Sequence, residues 1–190
     1  MCARDPESTS RASAYFDIEV VADFRNDPST GAVGTPVTHP DYNPNTLSND
    51  VGVVVLDGPA GIAGPYPALP TEGLLGQMKA GHEIQDEWFT AVGYGGVTGF
   101  PPPIIEFDLV RRFAESPYQG LTRNNLHVNQ NPNPSGAGGT CFGDSGGPRF
   151  LGEDPVLVSV TSWGDANCRA NDMTQRLDIP SALEFVSRFL

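Results

Sequence analysis

The chain has 190 residues, enough for one good-sized domain or for two small barrels sharing a core, and its 38% hydrophobic and 18% charged residues exclude a disordered polymer. A net charge of −12 argues against a nucleic-acid partner, because phosphates need a basic face. No run approaches the ~18 apolar residues of a membrane-spanning helix, so no membrane partner is expected. Acidity serves solubility and carries no functional message by itself.

The 22 Gly and 18 Pro point to short strands joined by many turns, an all-β architecture. Residues 1–14 are polar and read as a frayed start with no apolar run of a secretory leader. Residues 15–21 read as a strand in which aromatic and β-branched side chains partly alternate with acids. A turn cluster follows at 26–31, and residues 34–42 are extended because Pro36 and Pro40 push their predecessors away from helix. At Asp50 a polar loop enters the apolar run Val51-Gly52-Val53-Val54-Val55-Leu56. The residues alone leave two readings open for it, a buried carboxylate that needs partners or an acid that merely ends a turn.

Residues 57–70 are rich in Gly and Pro and read as a linker dividing the chain into 1–70 and 71–190. A strand is expected from Trp88 to Gly95, an exposed loop at Pro101-Pro102-Pro103, and a further strand over 104–110. Residues 124–139 read as a loop, and 156–164 as a strong strand ending in Ser162-Trp163-Gly164. Residues 180–190 have helical spacing after Pro180. Of the three cysteines, Cys141 and Cys168 could close a loop while Cys2 stands alone, and such a bridge fits an oxidising, extracellular setting.

The most informative stretch is Gly139-Thr140-Cys141-Phe142-Gly143-Asp144-Ser145-Gly146-Gly147-Pro148. A serine hydroxyl is a poor nucleophile until a base takes its proton and donors receive the oxyanion it creates. Glycines at 143 and 146 clear side chains away, so that backbone N–H groups of Gly143 and Ser145 can converge on one oxygen. Gly143-Asp144-Ser145-Gly146-Gly147 also spells a hydrolase nucleophile elbow, but it leads to Pro148 and another strand, whereas an elbow leads into a helix.

Cys141-Phe142-Gly143-Asp144-Ser145-Gly146-Gly147-Pro148 resembles the nucleophile loop of trypsin/chymotrypsin-type serine proteases, as found in secreted bacterial members. The resemblance implies a double six-stranded Greek-key β-barrel closed by a C-terminal helix, with Ser145 as nucleophile and Gly143 as an oxyanion donor. His39-Pro40 followed by Asn49-Asp50 and an apolar strand is similar to the segment carrying the triad aspartate, which makes Asp50 the residue that orients the histidine. The resemblance also implies a Cys141–Cys168 disulfide, a substrate-pairing edge at Ser162, Trp163 and Gly164, and a primary pocket bordered by Gly139 and Thr140. Gly139 stands six residues before Ser145, where trypsin-like members carry an aspartate. Asp172 falls near the pocket wall by the same resemblance, and two readings stay open for it, an acid that attracts a basic side chain or an exposed loop acid.

The family's base is a histidine that precedes the aspartate, and none here fits. His39 lies eleven residues before Asp50 and matches a structural His-Pro pair, whereas His82 and His127 come too late. A start downstream of that histidine, with an incomplete first barrel, accounts for this. In the family the counterpart of Asp144 pairs with an amino terminus released by activation cleavage, and no matching start is apparent here. The implied function is a serine endopeptidase acting on protein or peptide substrates, secreted, with no cofactor and no metal, and nearly inert as written for want of its base. The alternative is a homologue that has abandoned catalysis for a binding or regulatory role.

Overall fold

A computed structural model describes residues 12–14, 32–61, 64–99 and 104–190. The strand expected at 15–21, the turn at 26–31, the loop at 101–103 and Cys2 lie outside the described residues. Three antiparallel strands, β1 (Ala12–Ala14), β2 (Ala32–Thr38) and β3 (Gly52–Leu56), form one sheet in that order. A closed barrel follows in the second part of the chain. Its strands are β4 (Trp88–Gly93), β7 (Arg112–Leu121), β8 (Asn125–Asn129), β9 (Pro148–Leu151), β10 (Leu157–Gly164) and β11 (Asn171–Arg176), hydrogen-bonded in the circular order β10-β11-β8-β7-β4-β9. A small hairpin of β5 (Val97–Gly99) and β6 (Ile104–Glu106) stands apart from it. Helices α1 (Leu74–Ala80), α2 (Pro132–Ser135) and α3 (Pro180–Ser187) complete the chain. The architecture is all-β with a terminal helix.

Several expected elements change in detail. The strand expected over 104–110 stops at Glu106, and the terminal helix stops at Ser187. Residues 124–139, read as loop, contain β8 and α2. In Asn125-Leu126-His127-Val128-Asn129 the apolar residues alternate with polar ones, and Leu126 and Val128 are wholly buried between β7 and β11. That period of two was masked by its asparagines. β7 and β11 went unread for the same reason, since Glu115, Pro117 and Gly120 interrupt the one and Asn171-Asp172-Met173-Thr174-Gln175-Arg176 is mostly polar.

Leu75, Ile84, Phe89, Leu126, Val128 and Val158, all fully buried, form one core cluster that joins barrel strands to α1 and the segment after it. Removing each such side chain from water contributes about 1.5–3 kcal/mol. A second cluster of Val51, Leu177, Ala182 and Phe185 joins β3, the end of β11 and α3. Between the clusters Arg176 places Nε and Nη2 on the two oxygens of Asp178, at 2.8 Å each, and donates Nη1 to the Thr122 carbonyl. Asp178 Oδ2 also accepts the Leu75 N–H at the start of α1. One buried carboxylate thereby ties β11, α1 and the β7–β8 turn. Asp178→Ala should strand Arg176 and destabilise the fold by about 3–5 kcal/mol, read as a lower urea midpoint with unchanged slope.

Candidate active site

Asp50 is 3% exposed, at the end of the loop that joins β2 to β3. That loop is tightly held. His39 donates its backbone N–H to the Val51 carbonyl, Asn43 Oδ1 accepts the N–H groups of Asn45 and Thr46, and Asn49 adopts a left-handed conformation with φ 56°. Helix α3 fixes it from the other side, with Ser181 Oγ donating to Asn49 Oδ1 and the His39 ring packed 4.9 Å from that of Phe185. The Asp50 N–H goes to Gln175 Oε1, and its Oδ2 accepts Ser162 Oγ at 2.6 Å. Oδ1 is buried with no hydrogen-bond partner among the described residues.

The three histidines sit elsewhere. His39 meets the Ser181 carbonyl through Nε2 and the Asp41 N–H through Nδ1, so both its ring nitrogens are engaged. His82 occupies an exposed turn. His127 lies on β8, where burial pulls its pKa below the usual value. Among the described residues no imidazole touches Asp50.

Ser145 is exposed on the turn between residues 141 and 147. Gly143 takes φ 100°, a conformation strained for any residue with a Cβ, and this re-aims the backbone just before Ser145. The Asp144 N–H returns to the Cys141 carbonyl and that of Gly146 to Thr161, whereas the N–H groups of Gly143 and Ser145 go to no acceptor among the described residues. The Asp144 side chain points inward, its Oδ1 accepting the Gly95 N–H at 2.7 Å and Oδ2 that of Cys141 at 2.9 Å. Burial pushes this carboxyl above its usual pKa, with the two backbone donors opposing the rise. Asp144 borders a cavity of about 410 Å³ shared with Gly93, Gly95 and Gly139.

A second cavity, about 290 Å³, brings Ser145 together with Thr140, Cys141, Ser162, Trp163, Gly164, Asp165 and Cys168. Ser162 therefore links the two halves of the site, touching Asp50 with its hydroxyl while lining the space beside Ser145. Trp163 is 47% exposed, so it is no core tryptophan. Ser162, Trp163 and Gly164 continue β10 past the end of β9, with β11 on one side and no strand on the other among the described residues. The Cys141–Cys168 disulfide joins the turn that carries Ser145 to the loop after β10. Gly139 lies close behind, where a Cβ would collide with Gln130 Oε1.

Asp172 is 1% exposed, so it is not an exposed loop acid. Its Oδ2 accepts Thr140 Oγ1 at 2.7 Å and forms a buried ion pair with Arg149. Sequence reasoning missed Arg149. The signal was a lone arginine between Pro148 and the apolar Phe150-Leu151, a position that demands a carboxylate if the strand is buried. Gln130 and Asp165 were missed as well, being ordinary polar residues until the loops converge on them.

Asp165 organises the turn that carries Cys168. Burial would raise its carboxyl, but N–H groups of Asn171, Ala170 and Arg169 together with the Gln130 amide outweigh that and hold it at about 2. Its folded pKa is thus depressed below the unfolded ~3.9, and the stabilisation it supplies is present above that value and lost as pH falls through about 2. Asp165→Asn should be less stable than wild type at pH 7, and the gap between their urea midpoints should narrow from roughly pH 4 to pH 2.

Comparison with known proteins identifies the family. A family model described as Trypsin matches residues 17–181. The chain is 31% identical over 137 residues to a trypsin of Phaedon cochleariae, covering 67% of this chain and 49% of that protein. It is 32% identical over 165 residues to kallikrein 1-related peptidase b27 of Mus musculus, covering 76% and 58%, and 28% identical over 142 residues to a vitellin-degrading protease of Bombyx mori, covering 70% and 50%. The chain spans about half the length of these curated relatives. A solved structure described as "Structure of GrC" superposes with a TM-score of 0.61 at 19% identity, over 87% of this chain and 72% of that one, a likeness of fold. With the family model spanning most of its length and the closed barrel and disulfide in place, the chain belongs to the trypsin family of serine proteases.

Proposed function

We propose that this chain carries the nucleophile, the oxyanion donors and the orienting acid of a secreted serine endopeptidase, and that it takes its general base as a histidine imidazole on Asp50. The single observation that carries the reading is the Asp50 carboxylate, buried, with Oδ2 on Ser162 and Oδ1 without a partner among the described residues. A buried ionised oxygen with no donor is costly, and an imidazole N–H is the donor that would also turn the ring's other nitrogen toward a nucleophile. Ser162 lines the cavity of Ser145, so such a ring would stand between the two.

In this reading Ser145 Oγ attacks a peptide carbonyl and gives its proton to the imidazole, which returns it to the leaving amine. The N–H groups of Gly143 and Ser145 receive the oxyanion, where preorganised donors act most strongly. The substrate backbone adds as a strand along Ser162, Trp163 and Gly164, on the side of β10 that β9 leaves open. Asp144, raised by burial and bordering its own cavity, suits a cationic partner such as an amino terminus.

Phosphonylation of Ser145 by a fluorophosphonate probe tests the reading, with the modified peptide identified by mass spectrometry. The chain alone should label slowly at pH 8. Free imidazole should accelerate labelling about tenfold, less than the ~10²–10⁴ of a positioned base. Asp50→Asn should abolish the acceleration and Ser145→Ala all labelling. Prompt labelling without imidazole would contradict the need for a separate base, and a role confined to binding would leave Ser145 unmodified in every condition.

A further inference from the structure

Two of the residues lining the cavity beside Ser145 lie against one hidden acid. Thr140 donates its hydroxyl to Asp172 Oδ2, and Gly164 stands opposite Asp172 in the pairing of β10 with β11. Asp172 therefore sits immediately behind the cavity wall, close enough for an uncompensated charge there to draw a cation into an enclosed, low-dielectric space. Arg149 removes that attraction. It reaches Asp172 from β9, is itself 0% exposed, and places Nη2 on the same carboxylate oxygen while Nη1 meets Ser116 Oγ.

The other routes to a charged pocket are closed too. An acidic side chain at position 139 would collide with Gln130, whose Oε1 accepts the Thr140 N–H and whose amide nitrogen donates to Asp165 Oδ1 and the Asn171 carbonyl. Asp165, the one acid in the lining, directs both oxygens at N–H groups, Oδ1 to those of Ala170 and Asn171 and Oδ2 to that of Asn167. What remains in the lining is the Trp163 indole, the Phe142 ring, the disulfide, the hydroxyls of Thr140, Ser145, Thr161 and Ser162, and backbone.

We propose that Arg149 determines the specificity of this cavity, cancelling Asp172 from behind so that the pocket accepts an uncharged side chain and rejects lysine or arginine. An ammonium or guanidinium entering it loses water and meets, behind the wall, a carboxylate whose charge Arg149 already answers. The inference rests on the reading of the cavity as a substrate pocket, and it names the substrate class as peptides with an uncharged residue at the cleaved bond.

Benzamidine and its neutral counterpart benzamide separate the possibilities, titrated into the chain at pH 8 and followed through the Trp163 indole N–H resonance. Wild type should bind benzamide at least about tenfold more tightly than benzamidine. Arg149→Met should tighten benzamidine at least about tenfold and reverse the preference. The double variant Arg149→Met/Asp172→Asn, which leaves no buried charge behind, should return to the wild-type order, and it decides the matter together with wild type if Arg149→Met alone fails to fold. Preference of wild type or of the double variant for benzamidine, a folded Arg149→Met with unaltered preference, or binding of neither ligand to wild type each overturns the proposal. The readout does not depend on Ser145. Benzamide selectivity without any phosphonylation refutes the catalytic reading alone, and phosphonylation with benzamidine selectivity refutes the pocket assignment alone.

Discussion

A carboxylate removed from water is stable only where donors converge on it, and this requirement ties the molecule together more than any single hydrophobic contact. Asp178 gathers a guanidinium and a helix N–H, Asp172 a guanidinium and a hydroxyl, Asp144 two backbone N–H groups, and Asp50 a hydroxyl. In each case at least one donor comes from a segment distant in sequence, so holding the acid also fixes the relative positions of strands and turns. Asp165 repeats the device in a half-exposed loop, where backbone N–H groups take the place of arginine. A chain of net charge −12 has acids to spare for such work.

The same requirement explains what could be read from the sequence. The turn around Ser145 was legible because its chemistry restricts nearly every position, from the left-handed Gly143 to the cysteine that anchors it. Asp50 was legible only as a choice between burial and a turn end, and the structure buries it. β8 was not legible because only two apolar residues carry its alternation among asparagines, and β11 because it is mostly polar and its buried polar residues are satisfied by partners across the barrel instead of by water. Thr174, for instance, is wholly buried yet places its hydroxyl on Ser159.

Pairings between distant residues were the least visible. Nothing in the spacing of Arg149 and Asp172 announces that they meet, and Gln130 gains its place only when the turn before Cys141 and the loop after β10 close around it. The lone arginine in an apolar strand was the clue available. It identifies a buried cation but not the acid that answers it.

The grip of α3 on the Asp50 loop sets the order in which the site can come into being. Ser181 reaches Asn49, and Phe185 packs on His39, so the acid loop is held by residues that follow Ser145 in the chain. While those residues are still inside the ribosome, the Asp50 loop lacks its support, although Ser145 and its turn have already been made. A chain interrupted before residue 180 would keep Ser145 and its turn and lose the hold on Asp50. Emergence of α3 is thus a condition for assembly of the site, one set by the fold itself.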